Sequence, residues 1–341
     1  MTSTTLTRAT TAFTGRQTLT FAKAITLGLR AAMAADGKVM VMGEDIGRLG
    51  GVFRVTDGLQ AEFGEDRVVD TPLAESGIVG TAIGLSLRGY RPVCEIQFDG
   101  FVFPAFDQIT TQLAKMHYRS RGRLRVPVVI RIPFGGGIGA VEHHSESPEV
   151  LFAHTAGLRV VSPSTPQDAY DMIRAAVTSP DPVIFFEPKG RYWSKGEVDL
   201  DAPPAPGILD TARVARPGTD VTLVAYGPTV ATALKAADEL AAEGTSAEVV
   251  DLRAISPLDV PAVVASVRRT GRCVVVHEAP TVHGVGAEVA ARVTEEAFHH
   301  LEAPVIRVGG FHAPYPVAKL EHDYLPSVDR VLDAVDRALA Y

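Results

Sequence analysis

The stretch Asp70-Thr71-Pro72-Leu73-Ala74-Glu75-Ser76-Gly77-Ile78-Val79-Gly80 decides how this chain is read. Val68 and Val69 precede it as the end of an apolar strand, and Pro72 keeps Thr71 out of helical backbone. A run of small and apolar residues over 78–88 then has the length of a helix, which Glu75 opens. A strand that feeds a helix through a short loop is half of a βαβ unit, and such units build parallel sheets covered by helices.

The alternation continues in both directions. Thr20 is placed to cap a helix carrying Ile25, Leu29 and Ala32 on one face and closing at Asp36-Gly37. Residues 39–42 form a strand that ends at Glu44 and Asp45, and a helix over 57–63 stops at Gly64. Downstream come a strand over 93–96, a long helix from Pro104 to about His117, a strand over 128–132 and a glycine-rich loop over 134–139. Strands over 159–161 and 183–186 flank a helix over 166–177. Asp201-Ala-Pro-Pro-Ala-Pro-Gly207 continues neither a helix nor a central strand. Residues 196–217 are therefore expected to link an α/β domain over 17–195 to a smaller one over 218–341, whose strands are 221–225, 247–250, 273–276 and 305–308. The fold class is α/β, with two parallel-sheet domains.

Composition excludes several functions. The net charge of −7 offers no electrostatic footprint for nucleic acid, and no run approaches the roughly 20 apolar residues of a membrane helix. Cys94 and Cys273 each sit in an apolar run and read as small buried hydrophobes. Two cysteines give neither a disulfide framework nor a metal-ligand spacing, which favours a reducing, cytoplasmic setting. The stretch from Met1 to Arg16 is Thr-rich and lacks acids, and reads as a disordered tail rather than a transit peptide.

Ligands of open α/β sheets lie beyond the carboxyl ends of the strands. Glu44-Asp45, Glu75, Gln97 and His143-His144 are placed there. On position alone Glu75 is a first-turn acid favoured by the helix dipole. The two histidines lack partner ligands elsewhere, so proton transfer or substrate orientation suits them better than metal binding. Gly135-Gly136-Gly137-Ile138-Gly139 matches no phosphate-binding fingerprint; its glycines permit positive φ or close backbone approach. His283-Gly284-Val285-Gly286 lacks the third glycine of a dinucleotide loop and reads as a helix start.

Several motifs occur in the order found in one family. Met42-Gly-Glu-Asp45, Gly51-Val-Phe-Arg54, Asp70 to Gly77, Glu95-Ile-Gln-Phe98, Pro104-Ala-Phe-Asp-Gln108 and His143-His-Ser-Glu-Ser-Pro148 resemble β subunits of thiamine-diphosphate-dependent 2-oxoacid dehydrogenases. Val224-Ala-Tyr-Gly227, Asp251-Leu-Arg253, Ser256-Pro-Leu-Asp259 and His277-Glu278 resemble the transketolase-type C-terminal domain of that family. The resemblance runs from about Thr18 to the end. It implies a transketolase-like fold and gives Glu75 the role of the carboxyl group hydrogen-bonded to the cofactor's pyrimidine N1′, with a pKa raised by burial. It places Leu73, Gln97 and Phe101 against the aminopyrimidine; some relatives carry Tyr at the last position, so a hydroxyl contact is then missing here. His144 is implied to orient the 2-oxoacid or its intermediates and to assist acyl transfer, with His143 as a wall residue. It further implies a structural monovalent cation, K⁺, on backbone carbonyls at Val128, Ala176, Val177, Ser179 and Asp181, where Ser179 replaces an acid of some relatives.

Single-chain thiamine enzymes hold the diphosphate through Mg²⁺ on a Gly-Asp-Gly motif. Here Asp36-Gly37, Asp57-Gly58 and Asp99-Gly100 all lack the leading glycine. The resemblance therefore implies an α subunit that binds the diphosphate and Mg²⁺, an α2β2 assembly, and a lipoyl-bearing acyltransferase core as wider partner. The segments 143–149 and Phe185-Phe-Glu-Pro-Lys189 resemble branched-chain enzymes, making oxidative decarboxylation of branched-chain 2-oxoacids the favoured reaction. The alternatives are a pyruvate dehydrogenase β subunit, an NAD-binding oxidoreductase built on the second domain's glycines, and a non-catalytic assembly subunit.

Overall fold

Seven strands form the larger sheet of the computed structural model, which describes residues 13–341. Their order is Ala254–Ser256, Arg159–Val161, Val183–Pro188, Val129–Phe134, Arg91–Glu95, Val39–Gly43 and Val68–Asp70. All neighbours run parallel except the first, which is antiparallel to Arg159–Val161. The interior strands are buried on both faces and mostly apolar, as a sheet covered on both sides requires, with Glu95, Arg131 and Glu187 the buried charged exceptions. On one face Val41, Val93, Val129 and Phe185 pack under the helices Phe21–Ala35 and Pro166–Thr178. Those helices touch closely at Gly28, where a Cβ would lie 2.3 Å from Ile173 Cγ2. On the other face Cys94, Ile130 and Phe186 pack under Glu75–Leu87 and the helical turns that follow Asp99. That apolar cluster continues into Val224 and Val275 of the second sheet and Val263 of the helix Val260–Thr270.

The second sheet has five strands in the order Ile306–Gly310, Cys273–Pro280, Val221–Ala225, Ala247–Asp251 and Arg213–Arg216, with only the last antiparallel. The four parallel strands match the expected ones to within a few residues. Thr20 caps the first helix by accepting from Lys23 N–H, and Asp36 ends it.

Three expectations differ from the structure. The stretch 196–217 is strand at both ends: Lys195–Asp199 pairs with Arg16–Thr20, and Arg213–Arg216 joins the second sheet. Arg16 is thus in a paired strand rather than a tail; the rest of the expected tail, through residue 12, lies outside the described residues. The long helix from Pro104 is instead 3₁₀ turns over Asp99–Ala105, with Pro104 inside them, a π-helical turn over Gln108–Leu113 and a short helix Met116–Arg119. Thr110 and Thr111 hydroxyls donate to the carbonyls of Phe106 and Asp107, competing with the regular ladder.

Candidate functional site

The parallel strands Val39–Gly43, Val68–Asp70, Arg91–Glu95 and Val129–Phe134 end on one edge, and the loops leaving them meet there. Glu75 is the first residue of Glu75–Leu87 and only 8% exposed, yet its carboxyl group has no hydrogen-bond or ion-pair partner among the described residues. Glu44, 9% exposed, accepts from Ala74 N–H and leaves Oε1 unpaired. Burial raises the Glu44 pKa, and the charges of Glu75 and then Asp45 raise it further. Gln97 donates to Asp45 Oδ2 at 3.3 Å. The His144 ring stacks on Phe98 with centroids 3.9 Å apart and meets the edge of Phe101 at 5.1 Å. Its Nδ1 is buried without a partner.

The structure therefore brings Glu75 to Glu44, Gln97 to Asp45, and Phe101 to His144, with Gln97-Phe98 joining the last two pairs. Leu73 stands 80% exposed, two residues before Glu75. Glu44 Oε1, Thr71 Oγ1 and His144 Nδ1 are buried here without a partner among the described residues, where buried polar atoms are ordinarily hydrogen-bonded. The groups on offer are carboxyls and aromatic faces. They fit a flat, nitrogen-bearing ring such as an aminopyrimidine. None of these groups is a fixed cation.

Sequence reasoning passed over the charged groups under this site. Arg131, wholly buried, donates to Glu95 Oε2 at 2.5 Å and to both Glu187 oxygens at 2.6 and 2.9 Å; Tyr192 also donates to Glu187 at 2.6 Å. Lys189 and Asp99 are both buried and 2.5 Å apart; burial nevertheless pushes the carboxyl up and the ammonium down. Glu149 is buried against the Tyr226 hydroxyl and burial pushes its pKa up to about 8, and Glu278 is pushed up to about 7 by the same cause. The available signal was an ionisable residue inside an apolar strand run, repeated in neighbouring strands: Glu95, Arg131 and Glu187.

Among the described residues no cluster of His, Cys, Asp or Glu could hold a metal ion. The carbonyls expected to hold a monovalent cation lie near one another and already accept hydrogen bonds. Val128 O accepts from Val183 N–H at 3.0 Å, Ala176 O from Ser179 N–H at 3.2 Å and Asp181 O from Ser179 Oγ at 2.9 Å. Arg91 Nη1 reaches Val177 O at 3.0 Å and Ser179 O at 3.5 Å. The donor set suits such an ion, and Arg91 is a fixed positive charge competing for two of its ligands. Gly284 and Gly286 precede and open the helix Val285–Ala297 and pack on buried His277, where a Cβ would lie 2.8 and 2.7 Å from the ring. Their role is helix packing.

Two family models divide the chain: transketolase, pyrimidine binding domain, matches residues 17–194, and transketolase, C-terminal domain, matches 210–331. A pyruvate dehydrogenase E1 component subunit beta of Leifsonia xyli subsp. xyli is 64% identical over 95% of this chain and 96% of its own length. The chain belongs to the β-subunit family of 2-oxoacid dehydrogenases. Another member, the 3-methyl-2-oxobutanoate dehydrogenase subunit beta of Mycobacterium tuberculosis, is 56% identical over 95% of this chain and 92% of that one. A solved structure described as split gene transketolase, inactive beta4 tetramer, aligns with a TM-score of 0.78 at 26% identity, covering 94% of this chain and 98% of that one. The family makes this chain an enzyme component with the transketolase-like α/β fold. Among the described residues no helix is long and apolar enough to cross a membrane.

Proposed function

We propose that this β subunit supplies the aminopyrimidine half of a thiamine diphosphate site and acts in oxidative decarboxylation of branched-chain 2-oxoacids, with acyl transfer to the lipoyl group of an acyltransferase core. The observation that carries the reading is the buried acid pair Glu75 and Glu44, without a cation, beside His144 stacked on Phe98. Thiamine diphosphate, held between these residues and the partner chain, would supply the nucleophilic carbon and the electron sink that decarboxylation of a 2-oxoacid needs. Glu75 holds a proton at the pyrimidine N1′, and Leu73, Gln97 and Phe101 fix the ring. His144 orients the 2-oxoacid and moves a proton during acyl transfer.

An α subunit holds the diphosphate and its Mg²⁺ in an α2β2 assembly; the missing Gly-Asp-Gly supports this. A structural K⁺ on Val128, Ala176, Val177, Ser179 and Asp181 would share its ligands with Arg91. A cytoplasmic location accords with two free, buried cysteines.

The relative named for pyruvate favours a second reading, a pyruvate dehydrogenase β subunit. The complex with its α subunit, assayed on pyruvate and on the 2-oxoacids of valine, leucine and isoleucine, separates the two. The branched substrates are expected to show a kcat/KM roughly 10–200-fold above pyruvate, the worth of a methylene or so in an apolar pocket. The reverse order would assign the chain to pyruvate, and decarboxylation of none of them would end the proposal.

A further inference from the structure

The glycine-rich loop leaves the strand Val129–Phe134 and returns through the turn Glu142–His144. Its base is closed: Gly135 N–H donates to Glu146 O at 2.9 Å, and Glu146 N–H donates to Asp99 Oδ2 at 2.9 Å. The outgoing limb is gripped by two acids from the far end of the chain. Gly136 N–H donates to Glu278 Oε2 at 2.9 Å, and Gly137 and Gly139 N–H donate to Glu321 Oε1 and Oε2 at 3.0 Å each. Tyr315 braces Glu321 with a hydroxyl hydrogen bond of 2.8 Å.

The glycines are what make this grip possible. Gly137 and Gly139 have φ of 90° and 67°, so their N–H groups turn to a common side and form a concave anion cradle. At Gly136 a Cβ would lie 2.0 Å from the Tyr315 hydroxyl oxygen, and at Gly135 one would lie 2.5 Å from Glu278 Oε2. The loop thus lies flush against the second sheet's side of the molecule. Hydrogen bonds from N–H to an ionised carboxylate are the strong kind. The returning limb carries His144, whose ring is held by Phe98 and Phe101.

We propose that Glu278 and Glu321 are positioning residues for the acyl-transfer step: reaching across from the second domain, they fix the glycine-rich loop and so set the place of His144. The proposal rests on the reading of His144 as the group that assists acyl transfer. It also assigns the second domain a task at the site, since neither acid touches the residues that face the pyrimidine.

The test uses the complete α/β complex with Glu321→Ala, Glu321→Gln and Tyr315→Phe. Two rates are compared, decarboxylation coupled to an artificial electron acceptor and acylation of a free lipoyl domain. Amide hydrogen exchange is followed over 135–146. Glu321→Ala is expected to slow lipoyl acylation about tenfold, with acceptor-coupled decarboxylation within about threefold of the parent, as suits a displaced proton-transfer group. Exchange should rise about tenfold through His144 and not only at 137 and 139. Glu321→Gln, keeping one acceptor, should restore part of both, and Tyr315→Phe should give the same pattern at smaller size even if the alanine variant fails to assemble. Equal loss of both rates, or exchange that rises at 137 and 139 but stays put over 140–146, overturns the proposal. If the parent complex decarboxylates nothing, the functional reading fails while hydrogen exchange still decides whether the clamp holds the loop.

Discussion

Glu95 and Glu187 flank Arg131 at the central strand of the large sheet, whereas Glu44 and Glu75 meet beyond its carboxyl edge with no cation between them. Both pairs are buried or nearly so. In the first, three Arg131 nitrogens and the Tyr192 hydroxyl satisfy the carboxylates. In the second, Glu44 Oε1 and the whole Glu75 carboxyl stand unpaired among the described residues. Burial alone therefore does not mark a functional acid. The two pairs differ in whether burial leaves the carboxylates unsatisfied, and buried polar groups are ordinarily hydrogen-bonded.

The comparison can be broken by exchanging what each pair is expected to lose. Glu75→Gln should reduce turnover of the α/β complex by roughly 10³-fold or more, given the usual worth of a positioned proton-transfer group. Assembly and thermal midpoint should stay as they were. Turnover within a few fold of the parent would remove Glu75 from the chemistry. Arg131→Met should do the opposite, destabilising the fold by about 3–5 kcal/mol because it strands buried carboxylates. Denaturant unfolding measures this, and a loss under about 1 kcal/mol would show that the network relaxes or takes up protons at little cost.

Glu149 sharpens the contrast, since it is half satisfied: Oε1 takes the Tyr226 hydroxyl and Oε2 has no partner. Its folded pKa of about 8, raised by burial from 4.5, means the folded state holds the proton more tightly. Stability from this group is present below the unfolded pKa and is lost as pH climbs through the folded one. The complex should lose stability from about pH 4.5 to about pH 8, and Glu149→Gln should reduce that loss by roughly 1–3 kcal/mol. A variant with the parent's slope would place the titration elsewhere.

Much of the fold was legible because its strands are continuous apolar runs and its helices carry ordinary stops. The runs over 39–42 and 221–225, Thr20 as a cap and Gly64 as a stop are local signals, and the structure follows them. Lys195–Asp199 and Arg213–Arg216 were missed because they are polar edge strands whose partners lie far away in sequence. The π turn after Pro104 was missed because it depends on threonine hydroxyls competing for carbonyls, not on periodicity. At the site, residue types pointed to Glu75, Gln97 and His144, and the family motifs gave them roles. Phe98 beneath His144, and Glu278 and Glu321 on the glycine loop, depend on tertiary approach between segments up to 184 residues apart, which no local pattern records.

Ala254–Ser256 comes from beyond the Pro-rich connection, yet it forms the outermost strand of the first sheet by pairing with Arg159–Val161. The two halves are buttoned together by backbone, so a protease cut at 203–207 would sever the chain without baring that edge. Shortening the gene at the same point would leave Arg159–Val161 open to pair with whatever strand it met, including one from another copy.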